Sequence, residues 1–106
     1  MIAMNKEKFN QFAMEGGKPV LVEFGAPWCV YCRRIGPAME QVAKKYADTL
    51  PVFHVNIDDE PELAGQERIE VVPTLVIYHK GEVLGSIVAP ESRARIEDFI
   101  ADTMGV

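Results

Sequence analysis

The chain has 106 residues, 48% of them apolar and 25% charged, and a formal net charge of -5 at neutral pH. That length supports one hydrophobic core, so residues 1–106 are expected to form one domain. No apolar run approaches the roughly 18 residues that suggest a membrane span, and the net negative charge, with basic residues scattered among acids, speaks against binding nucleic acid or anionic lipid.

Met1 to Lys8 lacks the basic start and long apolar stretch of a secretory signal, which points to a cytoplasmic address. Residues 2 to 4 have room for only a short strand. Asn5 is a natural cap for a helix carrying Phe9, Phe12 and Ala13 on one face, and Gly16-Gly17 is where that helix should stop. Pro19 then opens Val20-Leu21-Val22-Glu23-Phe24, a compact apolar run with a single acid, which suits a central strand covered on both faces. This strand delivers the chain to Trp28-Cys29-Val30-Tyr31-Cys32, which holds the only two cysteines. From Tyr31 onward, Ile35, Met39, Val42, Ala43 and Tyr46 recur at helical spacing, with Pro37 predicting a kink.

Residues 51 to 57 read as a strand with Phe53, Val55 and Ile57 on one face, and Asp58-Asp59-Glu60-Pro61 begins a short helix, with Asp58 its expected cap. After Pro73 the runs Leu75 to Tyr78 and Val83 to Val88 flank His79-Lys80-Gly81-Glu82 as an antiparallel hairpin. Ser92 is placed to cap a last helix with Ile96, Phe99, Ile100, Thr103 and Met104 on one face. A βαβ unit followed by a ββα unit implies an α/β fold, with a mixed sheet of four or five strands and helices on both faces.

The chemistry concentrates at the cysteine pair. A dithiol at a helix N-terminus meets unpaired N–H groups and the positive end of the helix dipole, which favour the thiolate of Cys29. Cys32, three residues on, is close enough to attack a mixed disulfide formed on Cys29. In a reducing compartment a lone Cys-x-x-Cys is catalytic or metal-binding rather than a structural staple. Structural zinc wants four ligands, and the only additional candidates, His54 and His79, fall on separate strands. Burial of Glu23 in an apolar strand disfavours its charge and makes it a usable base near neutral pH; the plainer alternative is an acid at a strand end reaching water or a lysine. Trp28 is either a surface aromatic or a shield and partner contact beside the sulfurs. His54 reads as a polar residue on a half-buried strand, with no catalytic role.

The acid-and-Phe strand end, Trp28-Cys29-x-x-Cys32, a Pro five residues after the second cysteine and Val72-Pro73-Thr74 together resemble the thioredoxin family, over residues 4 to 103 and at the expected spacings. The resemblance implies the thioredoxin fold and reduction of protein disulfides by dithiol–disulfide exchange. It implies that Cys29 attacks, that Cys32 resolves, and that Glu23 is the buried acid that helps move the Cys32 proton. It implies that Pro73 is a cis proline beside the sulfurs, and that Trp28, Val72, Pro73 and Thr74 border a groove where extended substrate backbone binds. It further implies a monomer recharged by a thioredoxin reductase, with no bound cofactor, because the electrons are stored in the two sulfurs.

Several positions depart from the family pattern. Glu23 stands where thioredoxins typically carry Asp and is similar to the catalytic domains of protein disulfide isomerases. Val30-Tyr31 replaces the usual Gly-Pro, Gly25 stands where many members carry a large aromatic, and His54 where a Lys is common. Tyr31 before Cys32 is similar to the glutaredoxin motif, but Gly85-Ser86-Ile87-Val88-Ala89-Pro90 lacks that family's glutathione-holding turn. Two further readings stand beside the reductase: a more oxidising isomerase-like member, and a redox-gated binding module whose partner senses whether the disulfide is closed.

Overall fold

The computed structural model describes residues 1–105. Its strands are β1 (Ile2–Ala3), β2 (Val20–Gly25), β3 (Val52–Asn56), β4 (Thr74–His79) and β5 (Glu82–Val88), and its helices are α1 (Lys6–Phe9), α2 (Val30–Lys45), α3 (Pro61–Gln66) and α4 (Arg93–Met104). The five strands form one mixed sheet in the order β1-β3-β2-β4-β5. β1, β3 and β2 run parallel, and β4 and β5 are each antiparallel to the strand before them in that order.

All residues of β2 are buried, as a central strand between two helical layers requires. On one face Leu21 and Leu75 pack with Ile35, Met39 and Val42 of α2 and with Ile96, Phe99 and Ile100 of α4. On the other, Val22, Phe24, Val55 and Tyr78 pack with Phe9 and with Leu63 of α3. Side chains alternate along a strand. Glu23 therefore shares the α2 face with Leu21, and the parallel register sets it beside His54 of β3.

Local signals in the sequence account for most boundaries. Asn5 accepts the Lys8 N–H at 2.8 Å and Ser92 accepts the Arg95 N–H at 3.1 Å, capping α1 and α4. The hairpin turns on Lys80 and Gly81 alone, with φ of 50° and 81°, the left-handed pair a two-residue turn demands.

Two expectations change. Asp58 does not cap α3: Glu60 precedes the helix without a side-chain bond, Pro61 needs no N–H partner, and Asp58 is engaged with Trp28 instead. Phe12 does not join Phe9 and Ala13 in the core. α1 continues into a π-helical turn over Asn10–Met14, closed by a Glu15 N–H to Asn10 carbonyl bond of 2.9 Å, and the wider turn rotates Phe12 outward. There it stacks on Phe53 with ring centroids 5.2 Å apart.

Candidate active site

β2 ends at Gly25, and Ala26-Pro27-Trp28 turns the chain into α2 with Cys29 as the capping residue. Both cysteines are free thiols. The Cys29 sulfur accepts the Cys32 N–H at 3.1 Å, the bond an anion at a helix start would want, and its thiol donates to the Val72 carbonyl at 3.7 Å. Cys29 is 6% exposed, while Cys32 is half-buried. Burial first, then the hydrogen bond with Cys29, then the nearby charge of Cys29 and Glu23 push the Cys32 thiol up to about 12, against a smaller downward pull from the Ala26 backbone. The two sulfurs are chemically unequal: one receives a backbone N–H, and the other is held as a thiol.

Behind Cys32 lies a titratable pair. Glu23 is 2% exposed, and its Oε1 sits 2.9 Å from Nδ1 of His54. A β-carbon on Gly25 would lie 3.3 Å from Cys32 Sγ, 3.3 Å from His54 Cε1 and 3.7 Å from Glu23 Oε1. The glycine leaves a small opening onto which all three residues face.

The outer side is built differently. Trp28 is 61% exposed, and its indole N–H donates to both Asp58 oxygens at 3.0 and 3.2 Å. The Val72–Pro73 peptide bond is cis. Thr74 starts β4, pairs with Phe24 across the sheet, and donates its hydroxyl to the Val71 carbonyl. Trp28, Val30 and Val71 are exposed apolar side chains on the segments that carry Cys29 and Val72.

The structure thus gathers Cys29, Cys32 and Glu23 at the end of β2, and carries Val72, Pro73 and Thr74 up to them through the Cys29–Val72 contact. Glu23 is buried and, among the described residues, pairs with no lysine; its hydrogen-bond partner there is His54, to which the sequence reading gives no role. The available signal is that each is the lone ionisable residue of its strand, although the register that joins them is a tertiary fact. His79 is remote from this pair and lies 3.3 Å from the Gly17 carbonyl. Among the described residues, no three His, Cys, Asp or Glu side chains form a group able to hold a metal ion.

Two thiols one helical turn apart, one accepting a backbone N–H and the other kept protonated by burial, can store an electron pair and close into a disulfide. The class they define on this sheet is that of the thiol–disulfide oxidoreductases. Comparison with known proteins narrows it. A family model described as Thioredoxin matches residues 1–102. Thioredoxin 1 of Synechococcus elongatus is 38% identical over 86 residues, 81% of this chain and 80% of that protein. The thioredoxin of Alicyclobacillus acidocaldarius is 35% identical over 94 residues, 89% and 90% of the two chains. The chloroplastic M-type thioredoxin of Spinacia oleracea is 33% identical over 97 residues, 92% of this chain and 54% of that protein.

The chain belongs to the thioredoxin family, and its five-stranded mixed sheet with helices on both faces is the thioredoxin fold. Its activity is thiol–disulfide exchange with protein disulfides, recharged by a reductase, and nothing in these similarities favours an isomerase-like or binding-module reading. No helix among the described residues is long and apolar enough to cross a membrane.

Proposed function

We propose that Cys29 is the attacking thiolate and Cys32 the resolving thiol of a protein-disulfide reductase. The observation that carries this is the asymmetry of the pair: the Cys32 N–H stabilises negative charge on the Cys29 sulfur, while burial keeps Cys32 protonated. Cys29 attacks one sulfur of a partner's disulfide, the partner's second sulfur leaves with the bonding electrons, and a mixed disulfide forms. Glu23 takes the Cys32 proton; the new thiolate attacks the Cys29 sulfur, closes the intramolecular disulfide and expels the reduced partner. Two electrons have then moved from this dithiol to the partner, and a thioredoxin reductase returns them.

Trp28, Val72, Pro73 and Thr74 form the substrate groove. The exposed apolar side chains at Trp28, Val30 and Val71 support docking there, and the Val72 backbone supports recognition of an extended segment through its main chain. Main-chain recognition is tolerant of sequence, which suits a reductase with many substrates. The protein acts as a monomeric single domain in the cytoplasm, a compartment whose reducing poise keeps the dithiol in working form. With a protein disulfide as substrate, Cys29→Ser is expected to abolish turnover, and Cys32→Ser to accumulate a mixed disulfide that added thiol releases. Turnover surviving in Cys29→Ser, or no trapped adduct in Cys32→Ser, would sink the assignment.

A further inference from the structure

Glu23 is a buried carboxylate with very few partners. Oε1 lies at hydrogen-bond distance from His54 Nδ1, and Oε2 is a buried side-chain oxygen with no hydrogen-bond partner among the described residues. In such surroundings the charge of a carboxylate depends on whichever neighbour supplies an N–H or a positive charge. Here that neighbour is His54.

His54 spans two environments. One side of its ring meets Glu23 and the opening above Gly25, with Cys32 Sγ across it. The residue also lines an open cleft of about 370 Å³. Facing it there are Lys8 from α1 and Asp59 and Glu60 from the segment before α3, with the uncharged Asn5 and Asn56 between them. β1 adds no ionisable side chain to this cleft. The His54 side chain is 33% exposed and that of Glu23 is 3% exposed, so the imidazole exchanges protons with water where the carboxylate does not. Imidazoles are the side chains that ordinarily change charge between about pH 5 and 8.

We propose that His54 is a positioning residue for the second exchange step, holding Glu23 ionised with a charge that it draws from solvent at the cleft. The proposal deepens the roles given above to Cys32 and Glu23, and rests on them. In that step the Cys32 S–H proton passes to the Glu23 carboxylate, and the Cys32 sulfur bonds to the Cys29 sulfur. The partner's sulfur leaves with the electron pair of the broken mixed disulfide, and the proton taken up by Glu23 later leaves to water by way of the His54 imidazole. The 2.9 Å contact makes the charge of each group depend on the other. Resolution by Cys32 therefore depends on pH across the imidazole range, while attack by Cys29, which touches neither residue, does not share that dependence.

The sign follows from charge. A cation beside a carboxylate favours its ionised form. Removing the cation moves the pH at which Glu23 becomes able to accept a proton upward, and a permanent cation moves it downward. Stopped-flow reaction of the reduced protein with a dithiobis(nitrobenzoate) probe separates the steps, because the coloured thiolate is released once on attack and once on resolution. Across about pH 5.5 to 8.5, His54→Gln is expected to raise the midpoint of the second release by about one unit and to slow it about tenfold near pH 6.5. His54→Lys keeps an ion pair with Glu23, guards against a mere folding defect, and is expected to lower the midpoint by a similar amount. The first release should change by less than about twofold in both. A second-release midpoint unmoved in both variants, or two releases that shift together, would overturn the role of His54. A wild-type protein with no second release would overturn the assignment of Cys32, and that of His54 with it.

Discussion

The rim around Cys29 and the interior behind Cys32 lie one helical turn apart and are made of different materials. The rim consists of backbone groups and exposed apolar side chains: the Val72 carbonyl, the Cys32 N–H, Trp28, Val30 and Val71. The interior consists of ionisable side chains, the buried Glu23 against a His54 that reaches the cleft on its other side, with Cys32 across the opening at Gly25. Under the proposed roles, a rim of this kind would discriminate little between partners, whereas the interior would govern when a proton can leave. The proposed roles thus assign partner contact and timing to separate parts of one small site, and the contrast can be tested part by part.

The largest effect that tests this contrast is expected inside. Glu23→Gln keeps the size of the side chain but cannot take up the Cys32 proton, so resolution should slow about 100-fold, at the lower end of what a general base contributes. Attack by Cys29, which does not use the carboxylate, should stay within about twofold. The two phases of thiolate release from an aromatic disulfide read both numbers in one trace, and equal slowing of both phases would break the contrast.

A smaller effect concerns the thiols themselves. Because the Cys32 thiol is pushed up to about 12 while Cys29 receives the helix N–H, iodoacetamide at about pH 8 should modify Cys29 at least about tenfold faster than Cys32. Peptide mapping after brief exposure checks this. The same shift couples to stability. The folded state favours the protonated Cys32, so this contribution is fully present below the ordinary thiol value of 9.0 and is lost as pH rises toward about 12. The reduced protein should lose resistance to urea across that window. The oxidised protein, which has no Cys32 thiol to ionise, should lack this component of the loss.

How much of this was legible in the sequence follows the same division. The strands, the dithiol at the start of α2 and the hairpin at Lys80-Gly81 were readable because apolar runs, capping residues and glycine act over a few neighbours. The π-helical turn was hidden, since a single extra residue in one turn leaves the apolar spacing nearly intact yet rotates Phe12 out of the core. Asp58 looked like a cap because Asp before a helix usually is one; its bond to Trp28 spans 30 residues and exists only once β3 is placed beside β2. The Glu23–His54 pair has the same origin. Each strand was recognisable alone, and the register between them decided that their two ionisable residues meet.

The smallest expected effect lies on the rim, at Asp58. Its carboxylate accepts the Trp28 indole N–H and ties the turn before α2 to the segment leading into α3. Trp28 is 61% exposed, so water competes for this bond and its loss costs about 1 kcal/mol or less. Asp58→Ala should therefore leave the fold intact and free the indole to reorient, raising KM for a protein disulfide about two- to threefold with kcat unchanged. Asp58→Asn retains an acceptor oxygen and should recover most of the difference. The decisive readout is the resolution phase. A purely rim-borne tryptophan leaves it untouched in Asp58→Ala, while a slowed second phase would mean that the hold on Trp28 reaches Cys32, and the division between partner choice and proton timing would no longer stand.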